Sequence, residues 1–171
     1  MDFAWSREQT ELRDAARALG ATLNAGLIDR DREGVFDHAG WRKLAELGVH
    51  GLPVPPETMP LLLFGSDAQK ARFLPGLCDG SRIGGNAMSE PEAGSDAYGL
   101  RTLATRKGDR YVLDGSKTFI TNGPVADLVV VYATLDPKLG ARGISAFLVE
   151  RGTPGFRVGK KIEKMGIRTS P

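Results

Sequence analysis

The second half of the chain takes its fold from residues 103–134, which read LATRKGDRYVLDGSKTFITNGPVADLVVVYAT. Two short runs at 103–106 and 110–113 flank a turn at Gly108, and this pattern predicts a pair of hydrogen-bonded strands. The next two residues, Asp114-Gly115, are a strong signal for a two-residue hairpin. The stretch therefore predicts β-structure built from short neighbouring strands.

Further strands are expected on either side of residues 122–124, Asn-Gly-Pro, which predict another turn. We predict a strand over Thr118–Thr121, after the hairpin signal. Residues 128–134 are β-branched and nearly all apolar, as in a strand that is buried on both faces. Residues 144–149 predict another strand, and a last, basic strand is expected after the turn at residues 153–155.

The first half, residues 1–83, has the 3.6-residue spacing of apolar side chains that is typical of helices. Three helices are predicted. The first begins at the capping box Ser6–Gln9 and ends near Gly26. The second runs from Asp37 as N-cap to Gly48, and the third begins at the capping box Ser66–Gln69 and ends or kinks at Pro75. Between the last two helices, residues 51–60 contain four prolines and predict an extended connector.

Composition excludes several classes of protein. The chain has 171 residues, is 41% hydrophobic and carries a net charge of +2, which is too small to indicate nucleic-acid binding. No apolar run is long enough for a membrane span, and the N-terminus lacks the pattern of a signal peptide. Cys78 is the only cysteine, so a disulfide framework is excluded and a reducing compartment is indicated. We therefore expect a cytoplasmic protein.

Several possible catalytic motifs are incomplete. Residues 115–118, Gly-Ser-Lys-Thr, resemble the end of a phosphate-binding loop but lack its upstream glycine and its following helix. No Gly-x-Gly-x-x-Gly is present. His38, His50 and Cys78 do not have metal-ligand spacing, and Ser95 does not lie in a Gly-x-Ser-x-Gly elbow.

One segment, Asn86–Asp96, combines features of a binding loop. Pro91 and Gly94 predict a tight, irregular backbone, and Gly94 would let a ligand approach the main chain in a conformation that glycine reaches readily. The short polar side chains of the segment are Ser89, Ser95 and Asp96. From the residues alone, this segment is either an anion-binding turn or a connection between domains.

The order of five motifs resembles the acyl-CoA dehydrogenase family of flavoproteins. These motifs are Phe73–Leu77, Ser89–Asp96, Gly115–Gly123, Arg142–Val149 and Lys164–Arg168. The resemblance implies an α+β fold, with an N-terminal α-helical domain at residues 1–83 and a small antiparallel β-barrel domain at residues 84–171. It also implies that the C-terminal helical bundle of the family, which carries the catalytic glutamate, is absent from this sequence, and that the connector at 57–60 replaces several helices of the acyl pocket.

The resemblance further implies an FAD site. The cofactor-binding residues implied are Asn86, Ala87, Met88, Ser89, Gly94, Ser95, Phe119, Ile120 and Thr121. Ser89 is expected to hydrogen-bond the polar edge of the flavin, Thr121 to bond near flavin N5, and Ser95 to contact the CoA arm of the substrate. Two of these positions depart from the family pattern, because Phe119 replaces a tryptophan and Ser89 a threonine.

The activity implied is α,β-desaturation of an acyl thioester, with hydride transfer to flavin N5. The implied partners are an acyl-CoA or acyl-carrier thioester, an electron-acceptor flavoprotein and further copies of the chain, without nucleic acid or a membrane span. The catalytic base is not assigned to Glu90, Glu92 or Glu163. Two alternatives stay open: a non-catalytic truncated homologue or interaction module, and a flavin oxidase or monooxygenase on the same scaffold.

Overall fold

The computed structural model describes residues 4–51 and 58–171. Helices fill the first part of the chain and strands the second. The helices are α1 (Arg7–Asn24), α2 (Leu27–Glu33), α3 (His38–Glu46), α4 (Met59–Phe64) and α5 (Asp67–Cys78). The strands are β1 (Gly84–Ala87), β2 (Leu103–Lys107), β3 (Arg110–Asp114), β4 (Leu128–Thr134) and β5 (Ile144–Glu150). Three short 3-10 turns lie at Val49–Gly51, Ala97–Gly99 and Pro137–Gly143.

The predicted helix ends are confirmed where the signal is local. The Ser6 side chain accepts a hydrogen bond from Gln9 N at 3.2 Å, and Ser6 N donates to Gln9 Oε1 at 2.9 Å. The same reciprocal pair opens α5 at Ser66. Asp37 caps α3, and Gly48 follows that helix with φ at 77°. These interactions span only three or four residues, so the sequence alone determines them.

Two prolines in the helical part bear on predictions, and a kink at Pro75, the alternative to a helix end, stays a prediction. Pro75 does not end α5, which continues to Cys78 while Asp79 N bonds Pro75 O at 2.9 Å. Burial of Phe73 and Leu77 on one face of α5 holds the helix together across the missing N–H. Residues 52–57 of the predicted connector lie outside the described residues. Its last two residues begin α4, where Pro60 occupies the first turn and lacks only an N–H that needs no partner.

The sheet is mixed, with β4 at its centre. β4 pairs in parallel with β1 and in antiparallel with β5, and β2 pairs in antiparallel with β3. A further parallel contact joins Leu103 of β2 to Thr134 of β4. The α+β class is confirmed, and the antiparallel pairs are joined by short connections. β1 and β4 can pair in parallel because the connection between them, residues 88–127, is long enough for β4 to run in the same direction as β1.

Two predicted strands are wrong. Residues 118–121 form a loop, since Phe119 has φ at 56° and cannot continue a pleated strand. Residues 151–171, all of them described, form turns and irregular structure without a strand. Two further elements were not predicted: α2, which has only seven residues, and β1, whose Gly84-Gly85 start lacks the β-branched residues that indicate a strand.

The core lies on both faces of β4, as its continuous apolar sequence predicts. On one face Leu128 packs with Leu61, Phe73 and Leu77 of the helices. On the other face the buried residues are Ala87, Ala126, Val129 and Val131. β4 thus joins the helical part to the loops that follow β1 and β3. The division into domains at residues 83 and 84 stays a prediction, although α5 ends at Cys78 and β1 begins at Gly84.

Across the described ranges 4–51 and 58–171, the helices are too short or too polar to cross a lipid bilayer.

Candidate functional site

Two loops that are distant in sequence meet beside β1. The first loop (residues 88–96) follows β1, and the second loop (residues 115–125) connects β3 to β4. Thr118 N donates a hydrogen bond to Ser89 O at 3.0 Å, and Asn122 Nδ2 donates to Gly84 O at 3.2 Å. The structure therefore brings the predicted residues of Ser89–Asp96 and of Phe119–Thr121 to one region.

A pair of main-chain bonds closes the first loop. Glu90 N donates to Ala93 O at 2.9 Å, and Ala93 N donates to Glu90 O at 3.2 Å. Ala93 is buried, whereas Gly94 and Ser95 are exposed. The tight, irregular backbone predicted for this segment is confirmed, and its outer side presents Gly94 and Ser95 to solvent.

Glu90 is buried beneath the two loops with 6% of its surface exposed. Its carboxylate accepts hydrogen bonds from Arg101 N at 2.6 Å, Thr102 N at 3.0 Å, Thr102 Oγ1 at 2.5 Å and Lys117 Nζ at 2.7 Å. Burial alone would raise the pKa of Glu90, but the bonds from Lys117, Thr102 and Arg101 lower it to about 2. The carboxylate is ionised and fully engaged, so it cannot accept a proton from a substrate.

The other two glutamates considered as a base are also unsuited to that role. Glu92 forms an exposed ion pair with Arg101, and both side chains are more than half exposed. Glu163 lies exposed in the irregular segment after β5. The structure therefore does not bring a free carboxylate from these three residues into the candidate site.

Phe119 has the most unusual backbone of the site. It adopts φ at 56° although it is aromatic, and 76% of its surface is exposed. A bulky residue in this left-handed region is strained by about 1–3 kcal/mol, and such strain concentrates at functional sites. Asn122, three residues after Phe119, also has a positive φ, at 62°. The second loop therefore holds an exposed aromatic ring in a conformation that its own sequence disfavours.

The remaining predicted residues divide between the core and the surface. Ala87 belongs to the buried cluster on one face of β4, and Ile120 packs against that cluster. Met88 and Ser89 are half-buried, and Thr121 is exposed. Asn86 Oδ1 is buried and has no hydrogen-bond partner among the described residues. Ala87 can thus offer a ligand only its backbone, Ile120 is half-buried, and Asn86 has an unused acceptor.

The backbone argument for Gly94 is wrong. Gly94 does not have a left-handed φ, and a Cβ added there would meet nothing within 4 Å. The constrained glycine is Gly115, which sequence reasoning missed. A Cβ on Gly115 would lie 2.5 Å from Thr102 Oγ1 and 2.7 Å from Thr102 Cα. Lys117 and Thr102 were missed as well, because their partner Glu90 is remote in sequence.

Comparison with known proteins identifies the family. The model of the acyl-CoA dehydrogenase middle domain matches residues 85–171, half of the chain, and the model of the N-terminal domain matches residues 6–58. The chain belongs to the acyl-CoA dehydrogenase family.

Individual relatives are similar over part of their length. An acyl-CoA dehydrogenase of Bacillus subtilis is 50% identical over 110 residues, which are 64% of this chain and 29% of that protein. Butyryl-CoA dehydrogenase from Megasphaera elsdenii has a TM-score of 0.92 and 34% identity, covering 99% of this chain and 55% of that one. The prolyl acyl carrier protein oxidase AnaB has a TM-score of 0.90 and 36% identity, and the match covers 98% of this chain and 55% of that one. The chain spans about half the length of these solved relatives.

Proposed function

We propose that the chain forms the flavin-contacting part of an FAD-dependent acyl-thioester dehydrogenase that desaturates the α,β bond of an acyl-CoA. When bound, FAD supplies the acceptor for the hydride that leaves the β-carbon. The observation that carries the proposal is the contact between the two loops, in which Thr118 N donates to Ser89 O at 3.0 Å. Membership of the acyl-CoA dehydrogenase family supports it.

The residues proposed to hold FAD are Asn86, Ala87, Met88, Ser89, Gly94, Ser95, Phe119, Ile120 and Thr121. Three features of these residues fit a flat ring with a polar edge. Asn86 Oδ1 is a buried acceptor without a partner among the described residues. Phe119 offers an exposed aromatic ring, and Gly94 has open space where a side chain would otherwise stand.

Each side chain would contribute a different interaction. The hydroxyl groups of Ser89 and Thr121 would donate hydrogen bonds, and such donors stabilise negative charge that develops during the reaction. The ring of Phe119 would exclude water from the site. Ser95, which is exposed on the outer side of the first loop, would bind the CoA arm of the substrate.

The α-proton must go to a base outside the glutamates of the site. Glu90 is fixed by four hydrogen bonds, and Glu92 is paired with Arg101. We propose that the base is a glutamate of the C-terminal helical bundle that the family resemblance implies. The 171-residue chain alone is then expected to bind FAD without turning over acyl-CoA.

The test is a titration of FAD into the chain, with gel filtration to ask whether the flavin absorbance stays with the protein. Gly94→Val is expected to weaken FAD binding most, because the new side chain fills the open space that the ring needs. Thr121→Val removes one hydroxyl and should weaken binding roughly fivefold, which corresponds to about 1 kcal/mol. Ser95→Ala should leave FAD affinity unchanged.

Two results would reject parts of this proposal. A wild-type chain that folds and retains no FAD would reject flavin binding by these loops. Equal losses in Ser95→Ala and Gly94→Val would reject the assigned roles. A longer protein that contains these residues, binds FAD and leaves acyl-CoA unchanged would favour the non-catalytic alternative.

A second candidate is an oxidase that acts on a carrier-tethered acyl group, and the similarity to a prolyl acyl carrier protein oxidase favours it. The two candidates differ in how the reduced protein reacts with oxygen. Rapid reoxidation in air-saturated buffer would favour the oxidase, whereas slow reoxidation would favour a dehydrogenase that passes electrons to another flavoprotein.

We further propose an acyl-CoA or acyl-carrier thioester as substrate, an electron-acceptor flavoprotein as partner, self-association and a cytoplasmic location. Exposed apolar side chains support association, since Phe64 is 85% exposed and Met165 98% exposed. Sedimentation velocity over a range of concentrations tests self-association, and a monomer at every concentration would contradict it.

A further inference from the structure

Lys117 lies at the base of the second loop, two residues before Phe119, and connects that loop to the first. Its side chain is 11% exposed. The ammonium group donates to Met88 O at 3.1 Å and to Glu90 Oε1 at 2.7 Å. Both acceptors belong to the first loop, so a single side chain fixes the second loop against the segment that contains Ser89.

Glu90 is itself held in place from a third direction. One carboxylate oxygen accepts from Arg101 N at 2.6 Å, and the other accepts from Thr102 N at 3.0 Å and from Thr102 Oγ1. Arg101 and Thr102 directly precede β2. Lys117 therefore bonds a carboxylate that the start of the sheet already orients, and its position is set with little freedom.

We propose that Lys117 and Glu90 are positioning residues that set the distance between the two loops and keep Phe119 and Thr121 presented to the flavin. This inference rests on the proposed function and extends it to residues that do not touch the cofactor. Lys117 and Glu90 would be needed because Phe119 is strained, and a strained conformation persists only when its surroundings stabilise it. Lys117 and the Thr118 N–Ser89 O bond provide that hold on the side of the first loop.

The test uses four variants of the full chain: Lys117→Met, Lys117→Arg, the double variant Lys117→Met/Glu90→Gln, and the control Lys107→Met. Lys107 is an exposed lysine at the end of β2. For each we would measure the FAD dissociation constant, the visible circular dichroism of the bound flavin and the urea midpoint. The double variant removes both charges, so it does not leave a buried carboxylate without its cation.

A positioning role separates FAD binding from stability. We expect Lys117→Met to bind FAD at least about tenfold more weakly, and Lys117→Arg to bind within about threefold of wild type, since arginine can donate to both acceptors. The double variant should unfold at a higher urea midpoint than Lys117→Met, although only one of its two amide atoms can accept from Arg101 N and Thr102 N. Its FAD affinity should stay low and its flavin dichroism altered. Lys107→Met should match wild type in all three measurements.

A role in stability alone predicts that FAD affinity recovers together with the midpoint in the double variant, and that result would overturn the proposal. If Lys117→Met does not fold, the double variant decides the question. If the wild type binds FAD and Lys117→Met binds equally well, only the positioning role fails. If the folded wild type does not bind FAD, the proposed function fails and the positioning role fails with it.

Discussion

The lack of space for a side chain at Gly115, next to Thr102, leads to a prediction for stability. A methyl group added in Gly115→Ala would lie 2.5 Å from Thr102 Oγ1, 2.7 Å from Thr102 Cα and 2.8 Å from Thr102 Cβ. The hydroxyl could rotate away, but the Cα belongs to the main chain at the start of β2. We therefore expect the substitution to displace either Thr102 or the second loop.

The cost has two sources. Overpacking against Thr102, which is buried, costs about 1–3 kcal/mol. Displacement of Thr102 also removes a hydroxyl donor from the ionised carboxylate of Glu90, and a hydrogen bond to a charged group contributes about 1.5–3 kcal/mol. Alanine would also have to adopt the φ of 157° that Gly115 has, so the gain of about 0.4–1 kcal/mol that alanine brings at compatible positions is not expected here. Together the two costs predict a loss of about 2.5–6 kcal/mol in the free energy of unfolding.

Urea unfolding of the 171-residue chain measures this loss. With a slope of about 2 kcal/mol per molar urea, the midpoint of Gly115→Ala should fall by about 1–3 M. Gly94→Ala is the matched control, because a Cβ there meets nothing within 4 Å. Its midpoint should stay the same or rise slightly. If the two variants unfold at the same urea concentration, the close approach at Gly115 does not constrain the fold.

Three further predictions concern Glu90, Trp41 and Arg72. The pKa of Glu90 in the folded chain is about 2, below its ordinary value of 4.5. Its contribution to the free energy of unfolding is therefore present above pH 4.5 and lost as pH falls toward 2. Glu90→Gln should remove up to about 3 kcal/mol of this pH dependence in acid unfolding. If stability depends on pH equally in Glu90→Gln and wild type, this prediction is wrong. Trp41→Phe loses the Nε1 bond to Gly80 O and should cost about 1 kcal/mol in urea unfolding. Arg72→Ala breaks an exposed ion pair with Glu150 and should cost under about 1 kcal/mol by calorimetry. A larger loss would contradict the small contribution expected of an exposed pair.

The parts of the fold that were predicted from sequence depend on interactions between near neighbours or on continuous burial. Ser6 and Ser66 each meet a glutamine three residues later, so the capping boxes can be recognised without knowing the tertiary structure. β4 was predicted because it is buried on both faces and leaves little room for polar residues. In each case the physical cause lies within the segment itself.

Long-range packing explains most of the errors. Pro75 lies within α5 because Phe73 and Leu77 are buried against Leu61 and Leu128, and this packing outweighs one absent hydrogen bond. β1 has a weak strand sequence but pairs along its whole length with β4, in register from Gly84–Leu128 to Ala87–Val131. Neither partner can be identified from the local sequence of α5 or β1.

In the candidate site, too, the local sequence predicts one structure and long-range contacts produce another. Thr118–Thr121 has the composition of a strand, and its strand propensity is real, yet Phe119 has a left-handed backbone and Thr118 N bonds the first loop. Local preference and final structure conflict here, and such conflicts are expected where a protein holds residues for binding. We attribute this outcome to the bond between Lys117 and Glu90, which lies 27 residues away and is buried within a segment that otherwise looks like an exposed polar turn. The contact between Thr118 and Ser89 could not be predicted from sequence spacing, because it lies next to a buried charge whose environment only the folded chain creates.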